Sequence, residues 1–124
     1  MLFYMTELNV LAVSNNQLHG RLDPSFLSSL IHVNWLRLDD NQFSGTLPSE
    51  LGLLTHLKEL ALQNTGLSGT LPTELLVLSK LTTLMVTNTS LSGSIPEQFC
   101  DILFGYEMVC GGPEGCFGQQ TKPA

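Results

Sequence analysis

The sequence predicts an α/β solenoid: a right-handed superhelix with a parallel concave sheet and short helical or 3₁₀ segments on its convex side. Three observations carry this expectation. The block LKELALQNTGLSGTLP (Leu57 to Pro72) recurs as VNWLRLDDNQFSGTLP from Val33, as LTTLMVTNTSLSGSIP from Leu81 and, more loosely, as LNVLAVSNNQLHGRLDP from Leu8. The starts lie 25, 24 and 24 residues apart, a period of stacked supersecondary units. Inside each block apolar residues alternate with others, as in a strand. Pro48, Pro72 and Pro96 then lead Ser-Glu-Leu, Thr-Glu-Leu and Glu-Gln-Phe, and proline suits the first turn of a helix, where its missing N–H is not needed.

Taken in order, residues 1–7 read as a partial repeat, because Leu2 and Met5 match Leu75 and Leu78. No N-terminal cap is visible, so the expectation is a piece of a longer protein. Repeats follow at 8–32, 33–56, 57–80 and 81–104. The strand pieces point Leu11 and Val13, Leu36 and Leu38, Leu60 and Leu62, Leu84 and Val86 inward. Leu18, Phe43, Leu67 and Leu91 should turn inward next, followed by Leu22, Leu47, Leu71 and Ile95. Between these sets stand Gly20, Gly45, Gly69 and Gly93, a position that suggests positive φ or close approach of neighbouring coils. On the convex side Leu51, Leu54, Leu75 and Leu78 should bury at i, i+3 spacing. In the first repeat Asp23 is the extra residue before Pro24.

One coil buries too little to offset its own ordering, so the coils must stack into one cooperative unit, residues 1–116, with no internal domain boundary. Asn16, Asn41, Thr65 and Thr89 share the turn after each strand. An Asn there can bond the backbone of the adjacent coil, and Thr, with shorter reach and one donor, should make a weaker ladder. Asn64 and Asn88 stand one position earlier and should face outward. Residues 105–116 read as a capping segment, in which Met108 and Cys110 fall on the strand positions, and 117–124 as a disordered tail. Cys100, Cys110 and Cys116 are all the cysteines. They suggest a disulfide and an oxidising compartment, with three pairings open. The competing reading is three reduced thiols.

The chain has 124 residues, 43% of them apolar, and a net charge of −6. That charge disfavours a phosphate-binding face, so no nucleic-acid partner is expected. No apolar run approaches the ~20 residues that span a bilayer, and the start, MLFYMTELN, shows no signal peptide. His19, His32 and His56 lack an evident nucleophile partner and no phosphate-loop or metal motif occurs, so no enzyme, metal or cofactor is expected.

Binding would sit on the outward strand positions. These form the rows Val10, Trp35, Glu59, Thr83; Ala12, Arg37, Ala61, Met85; and Ser14, Asp39, Gln63, Thr87. Trp35 and Arg37 are of types enriched in binding hot spots, and Asp39 and Asp40 should add an acidic edge. The expected contact surface is Trp35, Arg37, Asp39, Asp40, Glu59, Gln63 and Met85, with packing of Trp35 across Val10 and Glu59 as the plainer alternative. Asn88-Thr89-Ser90 is an N-glycosylation sequon: in a chain secreted by a eukaryote a glycan there would cover the C-terminal part of that face, and the competing reading is a chance occurrence of a short motif that contains the turn residue Thr89.

The motif LxxLxLxxNxLxGxIP, with Ser-Gly before Leu/Ile-Pro, resembles the plant-type leucine-rich repeat of receptor-like kinase ectodomains, receptor-like proteins and secreted polygalacturonase inhibitors. Similar arrays occur in diatoms and other algae. The resemblance covers Leu8 to about Cys116. It implies a non-catalytic module, extracellular or at the cell surface, that binds a protein, peptide or glycan through its concave or lateral face. It also implies a parent chain with a membrane anchor or kinase domain. The alternative is a secreted inhibitor of a hydrolase such as a polygalacturonase. A structural or ice-binding solenoid fits less well, because the outward rows mix Trp, Arg, Glu and Met instead of a regular Thr or Asn array.

Overall fold

A computed structural model describes residues 7–92. The chain runs β1 (Val10–Ala12), β2 (His19–Arg21), α1 (Pro24–Ser28), β3 (Trp35–Arg37), β4 (Gln42–Thr46), a 3₁₀ segment (Ser49–Leu53), β5 (Glu59–Ala61), β6 (Gly66–Gly69), a second 3₁₀ segment (Thr73–Val77), β7 (Thr83–Met85) and β8 (Ser90–Leu91). Residues 1–6 of the expected partial repeat 1–7, the positions Gly93 and Ile95, the cysteines Cys100, Cys110 and Cys116, the capping segment and the tail lie outside the described residues. Among the described residues no helix is long and apolar enough to cross a membrane.

Strands β1, β3, β5 and β7 form one parallel sheet. Its register aligns Leu11, Leu36, Leu60 and Leu84 on the inner side. This is the arrangement the period demands: each coil places the same residue of L-x-L against its neighbour, and the apolar partners share one interior. Leu36, Leu60 and Leu84 are buried, and Leu51, Leu54, Leu75 and Leu78 close the core from the convex side.

The convex segments differ for a local reason. Asp23 caps α1, its Oδ1 accepting from the Ser25 N–H at 3.0 Å, which satisfies a donor the helix start leaves open. The other two segments begin after Pro48 and Pro72, make no side-chain cap bond, and tighten into 3₁₀ turns.

A second parallel sheet, β2-β4-β6-β8, runs beside the first. The sequence marks a turn position, an inward residue and a glycine here, but no strand. Stacking explains the sheet. Once each coil leaves its turn in an extended path, its backbone groups meet the same stretch of the next coil at ladder distance. Gly20, Gly45 and Gly69 in this region have φ of +96°, +82° and +83°, a conformation that glycine adopts without steric cost.

Three expected orientations differ in the structure. Leu18, expected inside, is 41% exposed: it sits on the first described coil, which among the described residues has a neighbour on one side only. Ala61, expected outside, is 2% exposed. Its single methyl stands in register between the longer Arg37 and Met85. Asp39, expected to add an acidic edge, is 8% exposed for a reason given below. Phe43 and Leu71 are partly buried against the core.

Candidate binding surface

The outward positions of β3 and β5 carry the most functional groups. Trp35 pairs in register with Glu59, and Arg37 with Ala61. Arg37 crosses to Glu59 on the next strand in a two-point contact, Nε to Oε2 at 2.9 Å and Nη2 to Oε1 at 3.2 Å. Two parallel N–H···O bonds fix the planes of both groups. Trp35 is 37% exposed, and the Lys58 ammonium lies 5.5 Å from its ring centroid, within cation–π range. Lys58 was missing from the expected surface. It precedes the outward position Glu59 by one residue, so strand alternation alone does not point it at the tryptophan.

Asp39 turns away from this group. Its Oδ1 accepts from the Ser14 hydroxyl of the preceding coil at 2.7 Å, and the pair takes the carboxylate out of solvent. Gln63 and Met85 are half-buried. The Gln63 Oε1 is shielded and has no hydrogen-bond partner.

Along the rim of this sheet runs a feature the sequence reading did not assign. Asn15, Asp40, Asn64 and Asn88 share one position, and all four have positive φ, between 56° and 62°. Asn and Asp tolerate this region better than other side chains. The Asn88 Nδ2 donates to Asn64 Oδ1 at 2.9 Å, and the Asn64 Nδ2 donates to Asp40 Oδ1 at 2.8 Å. The signal was present as an Asx residue at one register of every coil, just before the turn position.

The turn position itself behaves unevenly. Asn41 donates from Nδ2 to Val13 O of the preceding coil at 2.9 Å and to Leu38 O and Asp39 O of its own. Its Oδ1 accepts from Leu18 N at 3.0 Å. Asn16 is exposed, and its side chain bonds only Val13 O and Ser14 O within its own coil. Thr65 and Thr89 donate to Leu62 O and Val86 O, each within one coil.

Beyond the rim lies an open groove lined by Asn41, Gln42, Phe43, Ser44, Asn64, Thr65, Gly66, Asn88, Thr89 and Ser90. It carries no charged side chain and none of the outward residues of the first sheet. His32 and His56 meet on adjacent coils, their rings tilted by 41° with centroids 5.4 Å apart. Among the described residues no three His, Cys, Asp or Glu side chains group as metal ligands.

A family model described as Leucine Rich Repeat matches residues 32–54 and 80–102. Solved structures share the fold over nearly the whole chain. The BIR2 ectodomain from Arabidopsis thaliana is 28% identical over 95% of this chain, with a TM-score of 0.84. The leucine-rich-repeat ectodomain of the receptor kinase SOBIR1, from the same plant, is 34% identical over 90%, with a TM-score of 0.80. The chain folds as a stack of leucine-rich repeats, similar to those of plant receptor ectodomains. A third similar structure is the Arabidopsis receptor kinase HAESA in complex with the peptide hormone IDA and the co-receptor SERK1, 30% identical over 76% of this chain with a TM-score of 0.71. These leucine-rich repeats span 61% of the BIR2 and SOBIR1 chains and 16% of the HAESA chain. Comparison with curated protein sequences gives no match.

Proposed function

We propose that this leucine-rich-repeat chain is a non-catalytic module that binds a peptide or protein, outside the cell or at its surface. The observation that carries the reading is the group on β3 and β5. There a half-exposed Trp35 under Lys58 adjoins an Arg37–Glu59 pair whose geometry is fixed by two contacts. Aromatic and guanidinium groups held on rigid strands lose little freedom on binding, which is what makes such residues dominate interface energies. HAESA, which shares the fold, is seen with a peptide hormone and a co-receptor, and this supports the ligand class. Within the same reading Gln63, Met85 and the rim residue Asp40 extend the contact, while Asp39 serves the scaffold through Ser14.

Peptides selected from a phage-displayed library on the immobilised chain test this. Trp35→Ala and Arg37→Ala should each weaken the selected peptides about tenfold or more, equivalent to ~1.4 kcal/mol, with stability changed by no more than about 1 kcal/mol. Leu53→Ser, on the exposed convex side, should change neither. Selected peptides that bind both variants as well as the parent would refute the assignment. Stoichiometric slowing of a polygalacturonase, lost in the same variants, would favour the inhibitor reading.

A further inference from the structure

The sequon is the motif that the binding surface leaves unused. Of the seven asparagines in the described region, Asn88 alone begins Asn-x-Ser/Thr. Three facts bear on it. Asn88 and Ser90, the two residues that define the motif, are both exposed. The Asn88 amide nitrogen carries two hydrogens, and the rim ladder engages one of them, in the bond to Asn64 Oδ1. Both residues line the uncharged groove, whose carboxamides and hydroxyls match the hydrogen-bonding chemistry of neutral sugars.

We infer that Asn88 is an N-glycosylation site whose glycan leaves over the lateral groove, leaving Trp35, Arg37 and Glu59 open. In the transfer the Asn88 Nδ2 loses one hydrogen as a proton and bonds the anomeric carbon of the first sugar. The bond from that carbon to the pyrophosphate of a lipid-linked oligosaccharide donor breaks, and the pyrophosphate departs with the electron pair. The nitrogen keeps its second hydrogen, so the bond to Asn64 and the coil-to-coil ladder can survive. On this proposal the sugar lies over the groove and not over the concave face, since the groove shares no residue with that sheet's outward rows.

The inference depends on passage through a secretory pathway, which the test imposes, and not on any ligand of the concave face. The full chain, fused to a secretion leader, is expressed in cultured human cells. The secreted protein should exceed its polypeptide mass, and peptide N-glycosidase should remove the excess while converting Asn88 to Asp. Ser90→Ala, which spares the ladder, and Asn88→Gly, which keeps the positive φ available, should both be secreted without added mass. An unmodified Asn88 in the secreted parent chain would overturn the site. For the direction, Trp35 is the only tryptophan, so acrylamide quenching of its fluorescence reports on the concave face alone. Quenching should be equal in the glycosylated chain and in Ser90→Ala, and nuclear Overhauser contacts should link the first sugar to Asn64 or Ser44. Protection of Trp35 by the glycan, or sugar contacts to Met85 instead, would overturn the direction.

Discussion

Asn41 is the side chain on which the turn between β3 and β4 closes. It supplies a donor to Val13 O of the preceding coil and an acceptor for Leu18 N of the same coil. Without it Leu18 N loses its partner and Val13 O keeps only the Asn16 amide, and the bonds to Leu38 O and Asp39 O go as well, where an unpaired buried group costs about 1–3 kcal/mol. Asn41→Ala should therefore lower stability by about 2–3 kcal/mol in urea unfolding, whereas Thr65→Ala, which deletes one bond within its own coil, should cost about 1 kcal/mol. Equal losses would show that reach between coils does not matter. The rim position offers a different residue-scale contrast. Asn64 has φ of +58°, a region that penalises a Cβ by roughly 1–2 kcal/mol. Asn64→Gly should thus be more stable than Asn64→Ala by about 1 kcal/mol, the reverse of the order found in a helix. Thermal unfolding of the two variants decides it.

Between elements, the closest approach lies on the convex side. A Cβ placed on Gly52 would stand 2.7 Å from Glu74 O and 2.8 Å from Glu74 Cβ, so the two 3₁₀ segments pack backbone against backbone. Gly52→Ala should force them apart and cost about 1–3 kcal/mol, as overpacking does, while Gly20, with open space around it, meets no such contact. A neutral Gly52→Ala in calorimetry would mean that the coil spacing yields easily. The sequence marks Gly45 and Gly69 by their recurrence, but Gly52 has no counterpart at its register, where Leu76 stands. The same distinction governs what else was legible. The L-x-L alternation is local, so the first sheet and its inward leucines can be read directly. The second sheet sets Ser44, Gly45, Gly66, Ser68 and Gly69, types with weak strand preference, among Phe43, Thr46 and Leu67, and stacked coils are what bring those stretches together. Asp39 and Ala61 were placed outward by strand parity, which knows nothing of the Ser14 hydroxyl or of the flanking Arg37 and Met85. Lys58 over Trp35 escaped for the same reason: both partners are visible in the sequence, but their contact is between coils.

At the scale of the molecule, burial rises from the first coil inward. Leu11 and Val13 are half-buried, while their counterparts Leu36, Leu60 and Leu62 reach 0% exposure. In a solenoid each coil answers mainly to its neighbours, so opening should begin where burial is least, at the first described coil. The amides that tie the first coil to the second include Val13 N to Arg37 O and Asn15 N to Asp39 O, both at 3.0 Å. Those one and two coils further on include Leu38 N to Ala61 O at 2.9 Å and Leu62 N to Met85 O at 2.8 Å. Bond lengths this similar would by themselves give similar protection. The difference must come from the apolar burial that each opening undoes. Native-state hydrogen exchange should therefore show Val13 and Asn15 exchanging through a smaller opening than Leu38 and Leu62. Leu60→Ala, which cuts a fully buried side chain from the central coil, should cost about 2–5 kcal/mol and lower the protection of Leu38 and Leu62 together, with unfolding still a single transition. If Leu60→Ala split the transition in two, the coils on either side of β5 would be holding themselves folded independently, and the shared interior would not be what binds the repeats into one body.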